Sequence, residues 1–199
     1  YHTVYDALND MRNLIIPIRA ARDHGIYTVA GLVYSDSPVH TDIYYAKKAS
    51  ELVSIGVDAI FLKDPSGLLI PERVATLVPA IRAVIGELPL QLHSHCLSGL
   101  GPYVALQAVK HGVDVVHTAT SPLANGASHP PTELFVQNCR RRGYNIDLDL
   151  APVEEVAKRL GYIAERENKP IGAPAEYDEF HYHHQVAGGV GAIRRCPVL

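Results

Sequence analysis

His93 and His95 stand two residues apart in the run Leu90-Gln91-Leu92-His93-Ser94-His95-Cys96. The alternation of this run reads as a buried β-strand, whose two-residue period points both imidazoles to one side. Neutral imidazole is a good ligand for zinc and other borderline divalent ions, and a rigid strand holds such a pair already oriented. The plain alternative is two partly buried histidines hydrogen-bonded to their neighbours. About 30 residues earlier a second strand-like run, Ala59-Ile60-Phe61-Leu62, ends in Lys63-Asp64. A lysine there has two fates: an ion pair with Asp64 or Asp6, or a pKa depressed until the amine reacts. A neutral lysine that takes up CO₂ becomes a carbamate, an anionic oxygen ligand resembling a carboxylate. Neighbouring parallel strands delivering His, His and Lys at their C-terminal ends make a cation site in the mouth of a barrel.

The chain supplies elements to carry these groups in a regular order. Strand-like Thr3–Tyr5, Tyr27–Tyr34, Val57–Lys63, Pro89–His95 and Val113–Thr118 alternate with apolar periods of helical spacing over 12–24, 40–55, 71–85, 99–111 and 130–142. A further helix is predicted over 151–168, and the tail from Lys169 reads as irregular. Helix ends repeat one pattern, with glycine just past the last turn: His24-Gly25-Ile26, Ile55-Gly56-Val57-Asp58 and His111-Gly112-Val113-Asp114. Units of about 25–31 residues predict right-handed βαβ crossovers and a parallel sheet. Asp6, Lys63, His93, His95, Thr118 and Thr120 put a polar group at the C-terminal end of strand after strand. An open doubly wound sheet would gather such groups at one switch point, so a barrel is favoured. The expected fold is α/β with five units: either three strands of a TIM (β/α)₈-type barrel are absent from this chain, or the architecture is not a closed barrel. Residues 1–150 would form the partial barrel and 151–199 a C-terminal helix with the start of a post-barrel segment. The chain opens at Tyr1 inside a strand-like run without an initiator Met, which leads to the expectation of a fragment.

Other candidates have plainer readings beside them. Asp6 and Asp10 could ligate a metal, but capping a helix that starts near Met11 suits Asp10 better. Ser128, in the small-residue loop Ser121–Pro131, could approach a ligand or cap the next helix. The cluster His181-Tyr182-His183-His184 lacks clear periodicity and suits a surface or packing role. No dinucleotide fingerprint, phosphate loop or nucleophile elbow is present. A net charge of −3 argues against nucleic acid as a partner, and no apolar run approaches the ~18 residues that span a bilayer. Three widely spaced cysteines, Cys96, Cys139 and Cys196, suggest no disulfide framework, and a reducing cytoplasm is the simplest setting.

Beyond these features, the chain resembles a family. Phe61-Leu62-Lys63-Asp64-Pro65-Ser66-Gly67-Leu68-Leu69 is similar to the Lys-Asp-Met-(Ala/Ser)-Gly-(Leu/Ile)-Leu motif of biotin-dependent carboxyltransferase domains, the pyruvate carboxylase, oxaloacetate decarboxylase α and transcarboxylase 5S group. Leu92-His93-Ser94-His95 resembles its Leu-His-x-His strand, and Asp6-Ala7-Leu8-Asn9-Asp10-Met11-Arg12-Asn13 its Asp-Ala-Met-Asn-Asp-x-Arg-Asn segment. Thr118–Leu123 and Pro130–Glu133 flank a loop like its Gly-Thr-Ser-Gln-Pro, and Tyr182–Gly189 is similar to its post-barrel Tyr-x-His-Gln-x-Pro-Gly-Gly. The resemblance implies strands four to eight of the barrel. It also implies a divalent ion (Zn, Mn or Co) on carbamylated Lys63, His93 and His95, and carboxyl transfer or decarboxylation of a keto acid or acyl-CoA. Biotin on a carrier domain would be the donor or acceptor, and a homo-oligomer is expected.

Several positions depart from that pattern. The family's metal-binding aspartate and substrate-binding arginine on earlier strands have no counterpart here. Its relay threonine aligns with Ala127 and its glutamine with His129, which leaves Ser128 or His129 as the candidate proton carrier beside biotin. Pro65 and His117 stand where methionine and aspartate are usual. Two alternatives therefore stay open: a non-catalytic barrel subunit that has lost its relay, and a metallolyase of the hydroxymethylglutaryl-CoA lyase type. The second does not place Lys-Asp on the earlier strand, so Lys63 discriminates against it.

Overall fold

The computed structural model describes residues 1–188. Cys196 and Gly189 of the motifs above lie outside them. The strands are β1 (His2–Tyr5), β2 (Thr28–Val33), β3 (Ala59–Asp64), β4 (Leu90–Ser94) and β5 (Val115–Val116), in the sheet order β1-β2-β3-β4-β5. β1 pairs β2, β2 pairs β3 and β4 pairs β5 in parallel. The helices are α1 (Ile15–Asp23), α2 (Asp42–Ile55), α3 (Pro71–Ile85), α4 (Gly101–Lys110), α5 (Thr132–Arg141), α6 (Ala151–Arg166) and α7 (Phe180–His184). Strand and helix alternating in sequential order is the arrangement of successive units of a (β/α)₈ barrel. The chain divides into two compact units, of which the first holds Tyr1–Asp64, Ile70–His93 and Gln107–Val116.

In this first unit successive side chains of each strand point to opposite faces, and β2 is buried on both. Ala30, Leu32, Ile60, Leu62, Leu90 and Leu92 on one face are buried, as are Ile18, Leu52, Leu77, Val78 and Ile81 of the helices. Val29, Ala59 and Phe61 form a small apolar cluster on the other face. Helix ends are fixed locally. Thr41 caps α2 by accepting the Tyr44 N–H at 3.2 Å, and Gly56 ends it at φ 92°, where a side chain would be strained. Pro71 opens α3, where its missing N–H costs nothing. The repeated Gly-Val-Asp has a physical purpose. The Asp58 carboxylate accepts the N–H of Thr28 at 2.7 Å, and that of Asp114 accepts the N–H of Leu90 at 2.8 Å. Each aspartate thus satisfies the first donor of a neighbouring strand. Arg82 adds bonds to Leu88 O at 2.8 Å and to the Asp114 carboxylate at 2.5 Å.

The second unit gathers Pro65–Leu69, Ser94–Leu106 and the described residues from His117 onward. Its loops interlock through backbone bonds: Cys96 N–H lies 3.1 Å from Gly126 O and 2.9 Å from Ser128 O, and Ala119 bridges Pro131. Asn125 (φ 68°) and Gly126 (φ 53°) turn the loop by two successive left-handed residues.

Four expectations need correction. The helix predicted from residue 12 begins as a 3₁₀ turn, Met11–Leu14, because Asp10 caps it tightly through the Arg12 N–H. The fifth strand is regular only at Val115–Val116; beyond it, Ala119 pairs with the loop instead. Ser128 does not cap the following helix, which starts at Thr132 after Pro131 with no side-chain cap. The tail from Lys169 is not irregular throughout, since Phe180–His184 is helical and the Phe180 and His184 rings pack at 4.1 Å.

Candidate active site

β1, β2 and β3 bring Tyr5, Gly31 and Phe61 into one register row. Glycine is required at the centre of that row. A Cβ on Gly31 would come within 2.5 Å of Phe61 Cζ and 2.9 Å of Tyr5 Cβ. The Phe61 ring lies edge-on to Tyr5 (centroids 6.3 Å apart) and to His93 (6.2 Å). Two residues after Phe61, on the same face, Lys63 places its Nζ 4.7 Å over the Tyr5 ring and 3.4 Å from Nε2 of His93. A neutral amine can donate to or accept from an imidazole nitrogen, so the proton on His93 sets the direction of this contact. Burial holds Lys63 below the usual lysine range, which favours the neutral, nucleophilic amine. Lys63 and His93 are thus brought together by the first unit.

Asp6 is not the partner of Lys63. Its Oδ1 accepts the N–H groups of Leu8 and Asp10, and its Oδ2 accepts Asn13 Nδ2 at 2.8 Å. These bonds hold its carboxyl below the ordinary aspartate value. Asp10 is bound by Arg12, which brings its carboxyl down to about 2. Both carboxylates shape the turn after β1.

The second unit assembles the remaining candidates. His95 Nδ1 donates to the carbonyl of Ala127 at 2.7 Å, and His129 Nδ1 donates to the carbonyl of Ser94 at 2.9 Å. The two rings lie 4.6 Å apart at a tilt of 53°. Ser128 sits between Ala127 and His129, and its backbone holds the loop through Asn125 O and Cys96 N–H. Position 127 acts through its carbonyl, a function any residue type can supply. Gly188 closes this cluster from the tail: a Cβ there would lie 2.7 Å from His95 Nδ1 and 2.8 Å from Ala127 O. Its N–H binds Pro65 O at 2.8 Å, and Gln185 O accepts the Ser66 hydroxyl at 2.9 Å. Tyr5, Phe61 and Gly188 carry no chemical signal as isolated residues. For the glycine, the one available sign was its place in the family-like segment Tyr182–Gly189. His183 and His184 of the tail cluster are exposed.

The donor set suits a divalent cation. Imidazole nitrogens are borderline ligands, and the Ala127 carbonyl holds the proton of His95 on Nδ1, leaving Nε2 with the lone pair. Among the described residues no helix is long and apolar enough to cross a membrane.

Sequential parallel βα units, with Lys63 at the end of β3 and His93 and His95 at the end of β4, define a partial α/β barrel. The chain matches the family model described as HMGL-like over residues 7–160 and belongs to that family. It is similar to a pyruvate carboxylase subunit of Methanocaldococcus jannaschii, 40% identical over 163 residues that cover 82% of this chain and 29% of that protein. Against the methylmalonyl-CoA carboxyltransferase 5S subunit of Propionibacterium freudenreichii subsp. shermanii it is 31% identical over 188 residues, 94% of this chain and 37% of that one. The carboxyl transferase domain of Rhizobium etli pyruvate carboxylase, solved with pyruvate and biocytin, superposes with a TM-score of 0.87 at 26% identity, covering 94% of this chain and 32% of that chain. The chain thus spans about a third of the length of the relatives it matches.

Proposed function

We propose that this chain carries the carboxyl-transfer site of an enzyme acting on a keto acid or acyl-CoA, with biotin on a carrier domain as carboxyl donor or acceptor. In this reading residues 1–150 are the barrel segment and 151–199 the post-barrel segment of a larger, homo-oligomeric cytoplasmic protein. The observation that carries it is Lys63, a lysine of lowered basicity whose Nζ lies 3.4 Å from His93 Nε2 at the C-terminal ends of neighbouring strands. A surface ion pair would need neither the burial nor the imidazole.

Lys63, His93 and His95 are the residues that would hold a divalent ion of the Zn, Mn or Co type. Such an ion supplies Lewis-acid polarisation of a substrate carbonyl. In its neutral form the Lys63 amine would add its lone pair to the carbon of CO₂, one C=O π pair moving to oxygen and one N–H proton passing to water, which gives a carbamate whose anionic oxygen could serve as ligand. Partial burial of that nitrogen disfavours its charged form. Ala127 has only a methyl group and cannot carry a proton. The Ser128 hydroxyl next to it, or the His129 imidazole, would hold and pass one between biotin and substrate.

The test is carbon-13 NMR of the intact protein under labelled CO₂, paired with metal content and carboxyl-transfer rate. A carbamate resonance is expected, absent in Lys63→Ala, together with a rate loss of at least about 100-fold, the scale of removing one electrostatic stabiliser from an active site. A Lys63→Ala protein that keeps its metal and its turnover would overturn the proposal.

A further inference from the structure

The loop that lacks a relay threonine presents a histidine instead, and its hydrogen bonding bears on the proposed metal site. A carbonyl oxygen only accepts, so the bonds His95 Nδ1–Ala127 O (2.7 Å) and His129 Nδ1–Ser94 O (2.9 Å) require a proton on Nδ1 of both rings. In the neutral imidazole that fixes Nε2 as the lone-pair nitrogen of each. A metal-ligating histidine typically has its second ring nitrogen tied in this way to a backbone carbonyl or carboxylate. The two tethers are reciprocal: His129 is anchored to the residue before His95, and His95 to a residue two before His129. Ring orientation in the pair is therefore set by backbone, which does not reorient as a side chain would.

Spacing agrees. The ring centroids are 4.6 Å apart at 53°, and one ring nitrogen of His95 lies within 4.8 Å of one of His129. Two nitrogens of a tetrahedral ion at 2.0–2.1 Å are about 3.4 Å apart. That separation falls inside the 4.8 Å bound. Neither ring is exposed, and the backbone of Gly188 lies close enough to His95 that an added Cβ would be 2.7 Å from its Nδ1.

We infer that His129 is a metal ligand beside His95, so that the loop after β5 contributes an additional imidazole to the cation. This rests on the reading that His93, His95 and Lys63 hold that ion. The loop position aligned with a glutamine in the resembled family thus serves the metal, which leaves Ser128 as the proton-bearing group.

The experiment is metal binding to the intact protein. Zn²⁺ affinity is measured by competition with a chelator, and cobalt(II) is substituted for spectroscopy. His129→Ala is expected to weaken Zn²⁺ at least about 10-fold, on the scale of losing a group that supports a metal site, and to change the visible cobalt(II) bands. The far-ultraviolet circular dichroism spectrum should stay unchanged. Unchanged affinity and bands in His129→Ala, with binding lost in His95→Ala, overturn the inference and leave a site of Lys63, His93 and His95 standing. A wild-type protein that binds no metal overturns both. Should His129→Ala fail to fold, proton NMR of the cobalt(II)-loaded wild type decides: three hyperfine-shifted, exchangeable imidazole N–H signals support the additional ligand, and two overturn it.

Discussion

Replacing Gly31 by alanine tests whether the face that carries Lys63 is packed as described. The new Cβ would sit 2.5 Å from Phe61 Cζ, 2.7 Å from Phe61 Cε1 and 2.9 Å from Tyr5 Cβ, where ordinary contact begins near 3.4 Å. The backbone itself is no obstacle, since the φ of Gly31 is outside the left-handed region. The whole cost is therefore overpacking. The Phe61 ring must retreat by about 1 Å, but it is 2% exposed and stands between Tyr5 and His93. Inserting a methyl group into such a site costs about 1–3 kcal/mol. Phe61→Leu alone removes ring atoms from a buried position and costs about 1–2 kcal/mol. In the double variant the shortened side chain vacates the space the methyl needs, so the two costs overlap. A coupling of about 1 kcal/mol or more is expected, measured by urea unfolding of the wild type, both single variants and the double. Cobalt(II) binding should weaken in Gly31→Ala, because the ring is pushed toward His93, and recover in the double. Strictly additive free energies, or a Gly31→Ala protein as stable as the wild type, would refute the packing argument.

Two further outcomes follow from buried polar groups. Burial pushes Tyr34 up to about 12, and raises Tyr45 in the same way. A tyrosine whose folded value is above its unfolded value near 10 contributes stability that is complete below pH 10. That contribution is lost as pH rises toward 12, about 2–3 kcal/mol for Tyr34. Denaturant midpoints taken from pH 9 to 11.5 should fall in the wild type and fall less steeply in Tyr34→Phe; equal slopes would exclude the effect. Asp114→Asn weakens the pairing with Arg82 and the acceptor for Leu90 N–H, at a site where the aspartate side chain is 52% exposed. The expected loss is about 1 kcal/mol, reduced by high salt, and a loss of several kcal/mol or none at all by chemical denaturation would contradict the assignment.

Sequence and tertiary structure divided the work along physical lines. Periodicity in the chain determined the number, type and order of the βα units, because burial of one face imposes a repeat that local spacing records. The repeated Gly-Val-Asp was legible as a pattern, and its meaning came from the carboxylates of Asp58 and Asp114 reaching strand N–H groups some 24–30 residues earlier. The partner of Lys63 could not be read from the chain. Asp6 and Asp64 carry the opposite charge and Asp64 is adjacent in sequence, yet the Asp6 oxygens are used by its own turn and the amine meets an imidazole 30 residues away. Ser128 looked like a cap because serine commonly is one, whereas the helix starts after Pro131, whose fixed φ already suits that position. The tautomers of His95 and His129 lay furthest from view. They depend on carbonyls 32 and 35 residues away along the chain, and a backbone oxygen leaves no trace in residue identity. Residue types and their order thus determined which chemistry was on offer. Packing alone decided which nitrogen, which carbonyl and which ring stand together, because those contacts follow from the register of non-local strands and loops.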